Sequence, residues 1–147
     1  MIPHDPPPSM ETKPGRFEHL SRDECLELLE SKKVGRVAYC GPKGPVVLPI
    51  NYTVRSQSIV FRTRAGSRLA TFMNDASATF QVDDIDDFLQ AGWSVLVVGV
   101  AEWVTDTEEL SELWWDQHQP QPWAEGERNA FVRIVPSAIT GRRVYPS

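Results

Sequence analysis

Apolar and polar residues alternate one for one along most of this chain, the signature of strands with one face in a core. The clearest run is 76–83, where Ala78, Phe80 and Val82 alternate with Thr79, Gln81 and Asp83. Val46, Leu48, Ile50, Tyr52 and Val54 share one face of a second run, 45–54. Further strands are predicted over 34–39, 58–63, 93–104, 130–135 and 139–145. A turn at Gly41-Pro42-Lys43-Gly44 joins 34–39 to 45–54, which enters 58–63 through a hairpin at Arg55-Ser56-Gln57.

Helical spacing interrupts this pattern in three places. Ser21 and Glu24 stand at capping-box spacing, with Leu20 and Cys25 placed as the accompanying staple, so a helix is predicted through Ser31. It turns Cys25, Leu28 and Leu29 inward. A short helix over 67–74 buries Leu69, Phe72 and Met73, and a third runs over 105–117, followed by a Pro/Gln-rich loop to Gly126. Short strands with few helices predict a mainly β protein, a barrel rather than an α/β layer fold.

The run 93–104 departs from simple alternation. One face carries Ser94, Leu96, Val98, Val100, Glu102 and Val104, the other Trp93, Val95, Val97, Gly99, Ala101 and Trp103. Both faces are mostly apolar, whereas a small antiparallel sheet usually keeps one face wet. The expectation is that one face fills a barrel and the other meets a second chain.

Residues 1–16 contain Pro3, Pro6, Pro7, Pro8 and Pro14 and almost no large apolar groups. They are expected to form a disordered arm, leaving 17–147 as one domain, with order starting at Leu20. The net charge of -5 at pH 7 argues against nucleic-acid or anionic-membrane partners. No run reaches the roughly 18 apolar residues of a membrane span, and no secretory h-region opens the chain, so a cytoplasmic protein is expected. Cys25 and Cys40 lack metal or disulfide spacing and read as reduced thiols in or near the core.

Several chemistries lack their signatures. No G-x-G-x-x-G follows a strand, and no P-loop or H-E-x-x-H is present. His4, His19 and His118 are not placed for a Ser/His/Asp arrangement. Asp83, Asp84, Asp86 and Asp87 lack the glycine and terminal glutamate of a calcium loop and read as a solvated hairpin tip. No metal site is expected.

A strand–loop–helix element remains: 59–63, then Arg64-Ala65-Gly66, then a helix opening at Ser67. Arg62, Arg64 and Arg68 crowd around a flexible glycine, and Ser67 is able to cap the helix and also meet a phosphate oxygen. Solvated arginines around an ordinary cap are the plain alternative. Pro49 sits inside a strong strand pattern, which suits an edge, or a side occupied by something other than a strand. Asn51 shares its face and offers an amide to the polar rim of a heterocycle; an edge strand with a solvated asparagine is the alternative.

These residues resemble the pyridoxamine 5'-phosphate oxidase-like family of FMN-binding split barrels, over about Leu20 to Tyr145. The resemblance rests on Val34-Gly35-Arg36-Val37-Ala38, Leu48-Pro49-Ile50-Asn51-Tyr52, Phe61-Arg62-Thr63 with Gly66-Ser67-Arg68, and Gly92-Trp93-Ser94-Val95 running to Gly99 and Glu102. It implies a homodimer with FMN between protomers. Val47, Leu48, Pro49, Ile50, Asn51 and Tyr52 would lie along the isoalloxazine ring. Arg62 and Thr63 would contact ribityl or phosphate, Ser67 and Arg68 the phosphate, and Trp93 and Ser94 the flavin of the second subunit.

Leu69 stands where the oxidase proper tends to carry a second basic residue, and Arg133, Arg142 and Arg143 do not form its C-terminal substrate signature. Vitamin B6 oxidation is therefore not expected. What the resemblance implies is a flavin-dependent oxidoreductase acting on an unidentified small molecule. A non-catalytic flavin carrier or sensor, and a split barrel holding deazaflavin F420 or haem, are the alternatives. Tyr52 is the residue to test as a proton donor, against a plain role in the core.

Overall fold

A computed structural model describes residues 16–115 and 130–146. The predicted arm up to Gly15, the end of the third helix, the Pro/Gln loop and His118 lie outside the described residues. The chain runs β1 (Phe17–His19), α1 (Arg22–Glu30), β2 (Val34–Gly41), β3 (Gly44–Asn51), β4 (Thr53–Arg55), β5 (Ser58–Thr63), α2 (Arg68–Phe72), β6 (Ala76–Asp86), β7 (Ala91–Trp103), α3 (Thr107–Trp115) and β8 (Ala130–Val144). The strands form one antiparallel sheet in the order β3-β2-β6-β7-β8-β5-β4, with β1 paired to β8.

The two ends of that order, β3 and β4, are consecutive in sequence and joined only by Tyr52. The chain therefore leaves β2 at Asn51 and joins β5 at Thr53, curling the sheet into a barrel. The predicted single strand 45–54 is thus two strands. Tyr52 makes the break: its N–H donates to the Lys33 carbonyl (3.0 Å) and its hydroxyl to the Leu29 carbonyl (2.5 Å). Its ring packs edge-on against Phe80, 4.6 Å between centroids.

The inward rows fill the barrel as the alternation predicts. Val37 and Tyr39 (β2), Ile59 and Phe61 (β5), Ala78, Phe80 and Val82 (β6), Val95, Val97 and Ala101 (β7) and Val132 and Ile134 (β8) are buried in one core with Leu29 and Met73. Gly35 lies against the Phe80 ring so closely that a Cβ there would sit 2.3 Å from it. On the outer side of β5 a smaller cluster of Val60, Val104, Leu113 and Phe131 holds α3 against the sheet.

At α1, Glu24 N–H donates to Ser21 Oγ (3.2 Å) and Ser21 N–H to Glu24 Oε1 (3.3 Å), which is the predicted capping box. Leu20 and Cys25 are both buried. Burial chiefly, with the Glu24 charge adding, pushes the Cys25 thiol pKa up. Cys40, by contrast, is exposed on β2 rather than in or near the core. The hairpin at Ser56-Gln57 has both residues at positive φ (50° and 64°), the twist that a two-residue connection between strands favours.

Three other boundaries differ from the alternation. Order begins before Leu20, because Phe17–His19 pairs with Arg142–Val144, and the Arg16 guanidinium covers the Tyr145 ring at 4.4 Å. The two final predicted strands are one, β8, which absorbs Pro136 through a register shift beside Gly99, where Ser137 Oγ donates to the Val98 carbonyl (2.9 Å). β6 continues through Asp86, so Asp83 and Asp84 lie in the strand, 3.5 Å from Arg36 and 2.7 Å from Lys32 respectively.

β7 is buried on one face only. Val95, Val97, Gly99 and Ala101 face the core, while Leu96 and Val98 are 40% exposed, Val135 beside them on β8 42% and Val100 47%. The second buried face expected for this strand is not produced within one chain.

Candidate functional site

The residues singled out in the sequence gather where the curled sheet fails to close. Among the described strands β3 pairs with β2 alone, leaving its other edge open. β4 covers β5 only from Ser58 to Val60, so Phe61, Arg62 and Thr63 continue past it toward the open edge of β3. The split between β3 and the end of β5 is the candidate site, and the loop into α2 lies at its rim.

Pro49 fits this edge. A proline has no N–H to give β2, so Pro45 and Pro49 suit the ladder positions whose backbone points away from it. Val47 and Asn51 share that parity. Val47 and Pro49 are exposed and Asn51 half-buried, whereas Leu48 and Ile50 turn their side chains onto the core. By the same parity the backbone groups of Leu48 and Ile50 point at β2, so neither residue addresses a ligand at the open edge. Tyr52 is committed as well: its hydroxyl is buried and bonded to Leu29, and burial pushes its pKa well above the ordinary phenol value. A proton donor at working pH needs a pKa near that pH, so the Tyr52 hydroxyl belongs to the core.

On the other side of the split, Thr63 points inward and is buried, and its Oγ1 lies 3.2 Å from Ser67 Oγ. Ser67 caps α2 as predicted, accepting the Ala70 N–H at 3.1 Å. Its own N–H closes the loop onto the Arg64 carbonyl (3.0 Å). Gly66 takes φ +82°, which an L side chain adopts with strain, and a Cβ there would meet nothing within 4 Å. The loop thus presents an open surface flanked by the exposed side chains of Arg64 and Arg68.

Arg62 is not part of that group. Strand alternation sends it to the face opposite Thr63, where its guanidinium lies 4.8 Å from the Trp114 ring centre and 5.2 Å from that of Phe131. Burial there pulls its pKa down from the ordinary guanidinium value. Within this chain the Arg62 guanidinium lies against α3 and β8, while Thr63 and Ser67 meet at the loop and Arg68 is exposed beside them.

Trp93 and Ser94 are also set apart. They open β7, separated from β3 by β2 and β6 and from β5 by β8. The far end of the same strand does reach α2: Trp103 Nε1 donates to the Ala70 carbonyl (2.7 Å), and its backbone N–H to Asn74 Oδ1 (3.3 Å). Ten residues separate Trp93 from Trp103 on β7, about 33 Å of extended chain at roughly 3.3 Å per residue. Trp93 and Ser94 therefore stand at the opposite end of the barrel from the Ser67 loop. The contacts of Trp103 and Asn74 carry no local sequence signal, since they join positions far apart in the chain.

The chain matches known proteins over almost all of the described barrel. The model of the pyridoxamine 5'-phosphate oxidase family matches residues 21–143. An uncharacterised protein of Mycobacterium tuberculosis is 30% identical over 130 residues, covering 85% of this chain and 84% of that one. Among solved structures, the FAD binding protein from Mycobacterium smegmatis is 34% identical with a TM-score of 0.73, covering 86% of this chain and 98% of its own. A conserved protein of unknown function from Corynebacterium diphtheriae is 28% identical with a TM-score of 0.69, covering 87% and 98%. With its split barrel and this match, the chain belongs to the pyridoxamine 5'-phosphate oxidase family.

Proposed function

We propose that this protein binds a phosphorylated flavin, FMN, in the split between β3 and β5, and acts as an oxidoreductase on a small molecule. The observation that carries the proposal is the arrangement at the split: a proline-bearing edge of β3 along which no other described strand pairs on one side, with Thr63, Ser67 and exposed Arg68 on the other. Val47, Pro49 and Asn51 offer a flat backbone surface for the ring. Ser67 and Arg68 hold the phosphate, with Thr63 keeping the Ser67 hydroxyl in place. Each charge-assisted hydrogen bond of this kind is worth roughly 1.5–3 kcal/mol.

A bound flavin supplies hydride transfer, and the chain supplies orientation, charge and exclusion of water. Tyr52 takes no part as an acid, because its proton is held between α1 and the barrel core.

In this reading the working unit is a homodimer. Leu96, Val98, Val100 and Val135 form an exposed apolar stripe on the outer face of the sheet, the kind of surface that a second copy covers. Trp93 and Ser94, remote from the Ser67 loop in their own chain, then act on the flavin of the second subunit.

FAD in place of FMN is a second reading, favoured by the 34% identical FAD binding protein from Mycobacterium smegmatis. The test is the absorption spectrum of the purified protein, with mass spectrometry of what denaturation releases. Flavin bands with an FMN mass support the proposal, and an FAD mass selects the second reading. A Soret band, a deazaflavin mass or no chromophore after incubation with either flavin contradicts both. Tight flavin retention without turnover across electron donors would leave a carrier or sensor in place of an enzyme.

A further inference from the structure

α2 has only five residues, too few to persist as a helix in water without outside contacts. Yet Ser67 caps it and Arg68 is its first residue. At its end the Ala70 carbonyl accepts both the Met73 N–H (3.4 Å) and the Trp103 indole N–H (2.7 Å). The Asn74 side chain then accepts the Trp103 backbone N–H at 3.3 Å. Two hydrogen bonds from one residue of β7 thus fasten the last turn of α2 to the end of the barrel.

The environment of Trp103 makes this fastening informative. The residue is 42% exposed and so borders solvent. The N–H is aimed instead at a helix carbonyl that Met73 already uses. Core packing does not require this, because α2 is held from below by buried Ala70 and Met73 and by the Phe72 ring stacked 6.1 Å from Tyr39. What the indole adds is a fixed orientation of the turn that follows Ser67 and Arg68.

We propose that Trp103, with Asn74, is a positioning residue for the phosphate group of the cofactor, holding α2 so that Ser67 and Arg68 are preorganised before binding. The inference rests on the flavin reading above. Its action is confined to the phosphate end: Trp103 and Asn74 fasten α2, whereas the β3 edge, where the ring lies in this reading, is held by β2.

The test is a titration of wild-type protein, Trp103→Phe and Asn74→Ala with FMN and with riboflavin, which lacks the phosphate. Trp103→Phe keeps an aromatic ring and deletes the N–H. Asn74 is exposed, so Asn74→Ala reports on the same fastening without touching the core. Loss of one neutral hydrogen bond corresponds to about a fivefold change in an equilibrium constant. The expected result is FMN binding weakened about fivefold or more in both variants, with riboflavin binding unchanged. Equal weakening of both ligands, or no change in either, overturns the inference. Wild-type protein that binds neither ligand overturns the flavin reading itself, a separate outcome.

Discussion

Thr63 Oγ1 and Ser67 Oγ lie 3.2 Å apart, joining the last residue of β5 to the cap of α2 across the loop that contains Gly66. The contact holds a serine hydroxyl that already accepts the Ala70 N–H, so one oxygen serves the strand, the helix and the open loop surface. Ser67→Ala removes all three. Loss of such a cap costs about 1 kcal/mol of stability, and the melting temperature is expected to fall by a few degrees. FMN affinity should fall about tenfold or more, through the lost phosphate contact. Thermal denaturation and a fluorescence titration check the two effects on one sample.

Arg62 and Arg68 should separate under the same substitution. Arg68 is exposed at the site rim, so Arg68→Ala should change stability by no more than about 0.5 kcal/mol while weakening FMN binding. Arg62 stacks on Trp114 and Phe131, where cation–π contacts are worth about 0.5–2 kcal/mol. Arg62→Ala should lower the denaturation midpoint, and its effect on the FMN-to-riboflavin affinity ratio should be small. Equal phosphate dependence of the two variants would return Arg62 to the site.

Gly35 tests the packing of the barrel itself. A methyl group there would sit 2.3 Å from the fully buried Phe80 ring, against which Tyr52 also packs. Gly35→Ala should destabilise the fold by about 1–3 kcal/mol, the usual cost of overpacking. Urea denaturation measures it, with an unchanged midpoint as the contrary result.

Tyr52 gives a dependence on alkaline pH. Burial raises its pKa in the folded chain, while the unfolded chain titrates near the ordinary value of about 10. Above that pH the unfolded state loses the proton first and is favoured, so stability present below about pH 10 is lost as pH rises further. Tyr52→Phe should lower stability at neutral pH by removing the bond to the Leu29 carbonyl and should flatten the alkaline decline. Because the hydroxyl faces the core, the flavin spectrum at neutral pH should not change.

The outer stripe of β7 tests the assembly. Val100 is 47% exposed in the single chain, so Val100→Asp should leave the protomer folded. In sedimentation the variant is expected to run as a monomer, with weakened flavin binding because Trp93 and Ser94 of a second copy are no longer supplied. A dimer of unchanged stability would remove this face from the interface.

Much of the fold was legible because strand alternation is a local property. Ala78, Phe80 and Val82 face inward as their spacing requires, and the Ser21–Glu24 box caps α1. The failures are non-local. Nothing within 45–54 announces that Tyr52 exchanges β2 for β5, since the cause lies in its bonds to Leu29 and Lys33. Phe17–His19 becomes a strand only because the far end of β8 lies beside it. Pro136, a usual strand breaker, stands opposite Gly99 and is carried through by the extra, unpaired residue Ser137 beside it.

At the site, Pro49 pointed correctly to an open edge, and Ser67 to a cap. Motif grouping joined Arg62 to Thr63, whereas strand geometry sends them to opposite faces. The outer face of β7 is exposed in the single chain, and its apolar character was visible in the sequence.

The most direct measurement of the central claim is a parallel titration of the wild-type protein with FMN and riboflavin at low salt, followed by flavin fluorescence. Two charge-assisted contacts from Ser67 and Arg68 predict that the phosphate strengthens binding by about a hundredfold or more. Equal affinities for the two ligands would contradict it, because the loop between β5 and α2 would then hold no phosphate.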